Sequence, residues 1–188
     1  MGKAEETKQR LMRAALKLFV RKGINETTTR EIALGAGVAE GTIYRHFESK
    51  EELAWVLFRD HHLAIASALD EAQSKEKRLS DKTAAIIETY CRQADEDWLM
   101  FSYHLLAMHS HLDRVTDDML TPVGVVRTVI GEAMASGEIA AGDVDVTASM
   151  VMGIVLQPAV HKIYGHIDRP LAAYSQTFRA AALKILTD

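Results

Sequence analysis

Between Thr27 and Leu53 the residue types suit the grip of a polyanion better than covalent chemistry. Thr42, Tyr44 and His46 set short or planar hydrogen-bond donors along one short segment, the kind that reach phosphate oxygens. Lys50 falls in the first turn of the element that follows. A cation there opposes the positive helix end, so it makes most sense facing an anion such as a phosphate. Gly41 would let that segment lie close to an external backbone or base edge, and Gly37 supplies a turn conformation that a side chain opposes. Catalytic chemistry has no comparable signal: Asp, His and Ser are scattered, and nothing resembles a nucleophile elbow, a phosphate loop or a paired-His metal helix. His104, His109, His111, His161 and His166 raise a metal site, but no carboxylate or thiolate accompanies them at a ligating spacing. No catalytic residue, metal or cofactor is therefore expected.

These residues need elements to position them, and the periodicity is helical throughout. Leu11, Ala14, Ala15, Leu18 and Phe19 recur at three- and four-residue steps, which predicts an amphipathic helix from Glu5 to Lys22, stopped at Gly23. Thr28-Thr29-Arg30-Glu31 reads as a capping box opening a short helix with Ile32, Ala33 and Ala36 inward. A third helix is expected from about Glu40 to Phe47. Ser49 to Glu52 reads as a second capping box, opening a long helix towards Glu71. Two short helices joined by a tight glycine turn and clamped between longer ones are a helix-turn-helix. Further helices are expected at 81–94, 97–109, 122–135, 144–164 and 170–186, with Pro122 and Pro170 in first turns and Pro158 kinking or breaking its helix.

The chain has 188 residues, 48% hydrophobic and 26% charged, with three prolines, eleven glycines and one cysteine. That balance belongs to a folded globular protein, and scarce proline and glycine favour helices over the turns of a β fold. A lone Cys91 cannot form an internal disulfide, which fits a reducing cytoplasm. The charged opening lacks the apolar core of a signal peptide, and the apolar stretch 148–160 falls short of a membrane span. Net charge is −4. Residues 1–60 carry 11 Lys/Arg against 9 Asp/Glu, a balance of +2, and the rest carry 11 against 17, a balance of −6. A nucleic-acid binder needs a local basic face rather than a basic total.

The stretch TTTREIALGAGVAEGTIYRHFESKEEL resembles the signature of the tetracycline-repressor (TetR) family. The match runs without gaps through Thr28, Ile32, Ala33, Ala36, Gly37, Val38, Gly41, Thr42, Ile43, Tyr44, His46, Phe47, Ser49, Lys50 and Leu53. The resemblance implies an all-α fold of about nine helices: a helix-turn-helix DNA-binding domain at 1–48, then a helical ligand-binding and dimerisation domain at 49–188, linked by the helix 49–71. It implies phosphate contacts at Thr29, Thr42, Tyr44, His46 and Lys50. Ala39, Glu40, Gly41 and Arg45 would face the major groove, with Arg45 the reader of guanine. Ala39 departs from the pattern, where a Ser or Thr hydroxyl is common, and Glu40 is unusual at a DNA face: it would accept from cytosine or turn to solvent.

The implied partners are a palindromic double-stranded operator, a second copy of the chain joined through the two C-terminal helices, and a small-molecule effector of unstated identity, with no membrane. In that second domain Trp98, Phe101, Tyr103, His104, Met108, His161 and Tyr164 could line a mostly apolar pocket, although such a stripe is more often the pattern of core packing. The activity implied is that of a ligand-released repressor. A helical enzyme or small-molecule binder reusing the fold without DNA is the alternative.

Overall fold

The computed structural model describes residues 2–187, and among these it is all-helical. Eight α-helices run at Lys3–Lys22 (α1), Thr29–Ala36 (α2), Lys50–Ser74 (α3), Leu79–Glu96 (α4), Trp98–His111 (α5), Pro122–Ala135 (α6), Val144–Ile163 (α7) and Ser175–Thr187 (α8). Short 3-10 helices lie at Glu40–Arg45, Leu112–Arg114 and Leu171–Tyr174. Packing groups them into two compact units. One holds residues 1–61 with 99–115, the other residues 62–98 with 116–188.

The first unit is built on α1, whose apolar stripe buries Leu11, Ala15, Leu16 and Phe19 against Ile32, Ala33 and Ala36 of α2. Ile43 and Phe47 close that core from the segment after α2, and Leu53, Ala54, Leu57 and Phe58 from the first half of α3. Phe101, Tyr103 and Ala107 of α5 are buried in the same unit, with His104 and His111 beside them. Two histidine rings pack on Phe58, with centroids 5.0 Å (His104) and 5.1 Å (His111) away.

In the second unit α4 and α6 bury Ile86, Ile87, Tyr90, Val125, Val129 and Ile130, joined by Val151 and Val155 of α7 and Phe178 and Ala182 of α8. Distant side chains cap its helix ends. Glu138 accepts from the Leu79 amide at the start of α4, and the Asp95 carboxylate accepts from Leu171 and Ala172, both at 2.9 Å. Asp143 caps α7 through the amides of Asp145 and Val146, and Thr121 caps α6, with Pro122 in its first turn as expected.

Several expectations change. Pro158 does not break α7, which continues to Ile163 without the hydrogen bond its nitrogen cannot donate to the Ile154 carbonyl. The final helix starts at Ser175, because Pro170 opens a 3-10 turn that Asp95 holds. The stretch 148–160 belongs to a longer helix. At 20 residues and a mean hydropathy of 1.3, α7 has the length and composition of a membrane span, with 28% of that window buried. Its apolar residues exceed what the second unit covers.

Burial holds His62 in the second unit and His111 in the first below their ordinary value of 6.5, with Arg114 adding to the shift at His111 and Asp113 opposing it. The unfolded chain therefore binds more protons near that pH. Their contribution is complete above pH 6.5 and is lost as the pH falls through the depressed values. Urea denaturation should show lower stability at pH 5 than at pH 7.5, with the difference reduced in His111→Gln.

Candidate nucleic-acid interface

The start of α2 is fixed twice over. The Thr28 hydroxyl accepts from the Glu31 amide at 3.2 Å, and the Glu31 carboxylate accepts from the Thr28 amide at 2.9 Å, closing the expected capping box. Lys22, on the last turn of α1, donates to both oxygens of the same carboxylate at 2.7 Å. The Lys22 ammonium, then the Thr28 amide and hydroxyl, push the Glu31 carboxyl down to about 2. At the other end Gly37 has φ +66°, which terminates α2 and turns the chain. The helix runs on through Gly35, where an added Cβ would stand 3.3 Å from Ala14; that glycine allows close approach of α1 rather than ending α2.

The turn delivers Glu40–Arg45, a 3-10 helix where an α-helix was expected. Gly41, Thr42 and Ile43 are weak α-formers, and only six residues separate the turn from His46, so the shorter-range bonds prevail. Those from Thr42 to Ala39 and from His46 to Ile43 are both 2.9 Å. Ile43 is its only buried residue and locks the segment to the core. The rest faces out: Tyr44 is 58% exposed, and Ala39, Glu40, Gly41 and Arg45 are exposed, with Thr42 and His46 half-buried. Ala39 gives the segment no side-chain cap. At Gly41 the backbone φ is not positive and an added Cβ would meet nothing within 4 Å, so nothing inside the protein requires glycine there.

Two side chains are engaged differently from the sequence expectation. Glu40, exposed, accepts a 2.6 Å hydrogen bond from the Thr29 hydroxyl, tying the first turn of α2 to the exposed segment. Lys50 donates at 2.8 Å to the Thr27 carbonyl and at 3.4 Å to that of Asn25, across the loop between α1 and α2. Its cation at a helix N-terminus is thus offset by carbonyl oxygens within the fold. Beside Thr29, Arg30 is exposed in the first turn of α2. The signal that singled out Lys50, a cation at a helix N-terminus, applies to it equally.

Thr29, Ala39, Glu40, Gly41, Thr42, Tyr44, Arg45, His46 and Lys50 therefore all lie in one compact unit, most of them along a single exposed edge. The profile described as "Bacterial regulatory proteins, tetR family" matches residues 11–54, the segment that builds this edge. The segment 11–54 therefore resembles the bacterial regulatory proteins of the tetR family. An uncharacterized HTH-type transcriptional regulator of Bacillus subtilis (strain 168), YvkB, is 40% identical over 67 residues, 36% of this chain and 35% of that protein. The matched segment spans about a third of the length of the first curated relatives. The fatty acid metabolism regulator protein of the same organism is 25% identical over 147 residues, 76% of each chain. The fold extends over nearly the whole molecule: the transcriptional regulator FadR from Bacillus subtilis, solved with stearoyl-CoA, has a TM-score of 0.74 at 22% identity, covering 93% of this chain and 96% of that one.

The residues considered for a ligand pocket are divided between the two units. Phe101, Tyr103 and His104 are buried in the first unit, where the Tyr103 hydroxyl donates to the Ala54 carbonyl at 2.7 Å, and Met108 is half-buried there. Trp98 lies in the second unit with the Lys162 ammonium 5.2 Å above its ring. His161 and Tyr164 are exposed at the end of α7.

Ala39→Ser restores a hydroxyl at the uncapped start of the 40–45 segment. It should raise unfolding stability by about 1 kcal/mol in urea melts. Thr28→Ala, which opens the capping box, should lower it by a similar amount.

Proposed function

We propose that this chain is a DNA-binding transcriptional regulator, a repressor that holds a palindromic operator as a homodimer and is released by a small-molecule effector. The observation that carries this reading is the exposed edge from Thr29 to His46. It is rigidly mounted yet presents Tyr44, Arg45 and an internally unneeded Gly41 to the outside. Residues 1–48 form the reading head, and 49–188 the effector and dimerisation part. Thr42, Tyr44 and His46 contact phosphates, Arg45 reads guanine, and Ala39, Glu40 and Gly41 line the major groove. Thr29 and Lys50 reach phosphates only by sharing or leaving their present partners, so their first effect is positional. Repression takes place in the cytoplasm.

Dimerisation follows from α7 and α8. Val146 is 55% exposed, Met150 50% and Tyr164 66%, on a helix too apolar to remain uncovered in water. A second copy packing its own α7 and α8 there buries that surface, and it provides the two reading heads that a palindrome requires. The solved FadR complex with stearoyl-CoA supports an effector-bound state for this fold and makes a long-chain acyl thioester the first compound to screen.

Selection from a random duplex pool at near-physiological salt should enrich a palindrome. Tyr44→Ala and Arg45→Ala should each weaken binding to it by about five- to 150-fold, as loss of one contact worth about 1–3 kcal/mol implies. Arg45→Ala should in addition relax one base position. Val146→Glu combined with Met150→Glu should sediment as a monomer and lose operator binding while keeping its helical signal. Failure of both wild-type enrichment and dimerisation would contradict the reading.

A further inference from the structure

The chain leaves α7 through a closed turn. Gly165 has φ +76°, its amide donates to the Lys162 carbonyl at 3.1 Å, and the His166 amide donates to the His161 carbonyl at 3.0 Å. These two nested bonds are a Schellman closure, which brings the side chains before and after the turn together. An apolar contact is its common accompaniment. Here the two side chains are imidazoles: the His161 and His166 ring centroids are 5.7 Å apart, with the planes at 51°. Residues five apart do not share a face of a continuous helix, so the spacing in the sequence gives no sign of this pair.

The segment that carries His166 is fastened again farther on. Lys162 donates to the Asp168 and Arg169 carbonyls at 3.0 and 2.9 Å, and the Asp95 carboxylate accepts from the Leu171 and Ala172 amides. The one ammonium beside the turn is thus committed to those carbonyls and to the Trp98 ring, 5.2 Å from its centre. All of these residues belong to the second unit. Both histidine side chains are exposed, so packing in the core does not hold the rings together. The backbone of the turn does.

We propose that His161 and His166 form a two-imidazole site for a borderline divalent transition-metal ion of the class of Cu²⁺, Ni²⁺ or Zn²⁺. With metal–nitrogen bonds of about 2.0–2.1 Å, two imidazoles on one ion hold their ring centres roughly 5–6 Å apart. That is the separation the turn imposes. Each exposed ring turns a nitrogen towards the ion without disturbing the core, and water completes the shell. Imidazole nitrogen favours these ions over Mg²⁺ and Ca²⁺, which take oxygen ligands. Among the described residues no third His, Cys, Asp or Glu joins the pair, so affinity rests on how little the two ligands must be reorganised. Protons compete with the metal for the same nitrogens, so binding weakens on acidification. The site does not depend on the regulatory reading.

Titration calorimetry of the full chain with Ni²⁺, and in parallel with Mg²⁺, tests the site directly. Nickel should bind saturably at one ion per chain, and magnesium should give no saturable heat. His161→Ala and His166→Gln should each lose at least tenfold in nickel affinity while keeping the melting temperature within a few degrees. His109→Ala removes an exposed histidine outside the pair and should leave the affinity unchanged. With Cu²⁺ as the probe, electron paramagnetic resonance should show two coordinated nitrogens in the wild type and one in His166→Gln. Absence of saturable nickel binding, an equal response to magnesium, or unchanged nickel affinity in either folded variant of the pair would each overturn the proposal. A loss in His109→Ala as large as that in His166→Gln would overturn it as well. A protein that binds nickel as described but selects no DNA would keep this site and remove the regulatory reading.

Discussion

The loop between α1 and α2 spans six residues, and the position of everything that could touch DNA depends on its being held. Two lysines hold it from opposite ends. Lys22 grips the carboxylate that completes the α2 cap, and Lys50 reaches across from α3 to the Thr27 and Asn25 carbonyls. The two are not of equal weight. Lys22 and Glu31 are 27% and 40% exposed, and solvent screens a pair of that kind. The Lys50 side chain is 16% exposed, and a charged donor on a part-buried carbonyl contributes about 1.5–3 kcal/mol. Thr27, itself 1% exposed, reinforces the loop by donating its hydroxyl to the Gly23 carbonyl at 2.7 Å. From that anchored loop the order propagates outward: Thr28 caps α2, Thr29 fastens Glu40, and Ile43 seats the exposed segment in the core.

What could be read from the sequence was whatever is decided within four residues or by repeated period. Thr28 and Glu31 meet because a helical first turn brings them together whatever else the chain does, and the apolar stripe of α1 needs no partner to be recognised. The turn at Gly37 and the first-turn place of Pro122 were legible for the same reason. The contacts the sequence does not announce involve partners far away in the chain. Lys50 points to an external anion in the sequence because a cation opposes the positive end of its helix; its carbonyl partners lie 23 and 25 residues back. Glu40 was left between cytosine and solvent because Thr29 is eleven residues away. The 3-10 form of 40–45 depends on the short span between Gly37 and the buried Phe47. In α5 the aromatic and histidine stripe reads the same for a pocket or a core, and only packing placed Phe101, Tyr103 and His104 in the interior.

The two compact units also differ in what they leave unfinished. The first has an outward edge whose composition the interior does not explain. The second has a helix, α7, with more apolar surface than it covers. A protein that reads a palindrome needs both features: an edge shaped for something outside, and a face that brings a second edge alongside it. A protein that only bound small molecules would have no use for the first.

Gly41 gives the most direct test, because its two readings predict opposite behaviour. With open space around its Cβ position, Gly41→Ala should leave the melting temperature unchanged or slightly raised, since alanine is the better helix former. If the edge approaches a duplex closely, the same methyl group should reduce affinity for the selected palindrome at least tenfold. Retained stability with lost binding is the predicted result; retained binding, measured on the same folded variant, would contradict the claim that this edge meets DNA.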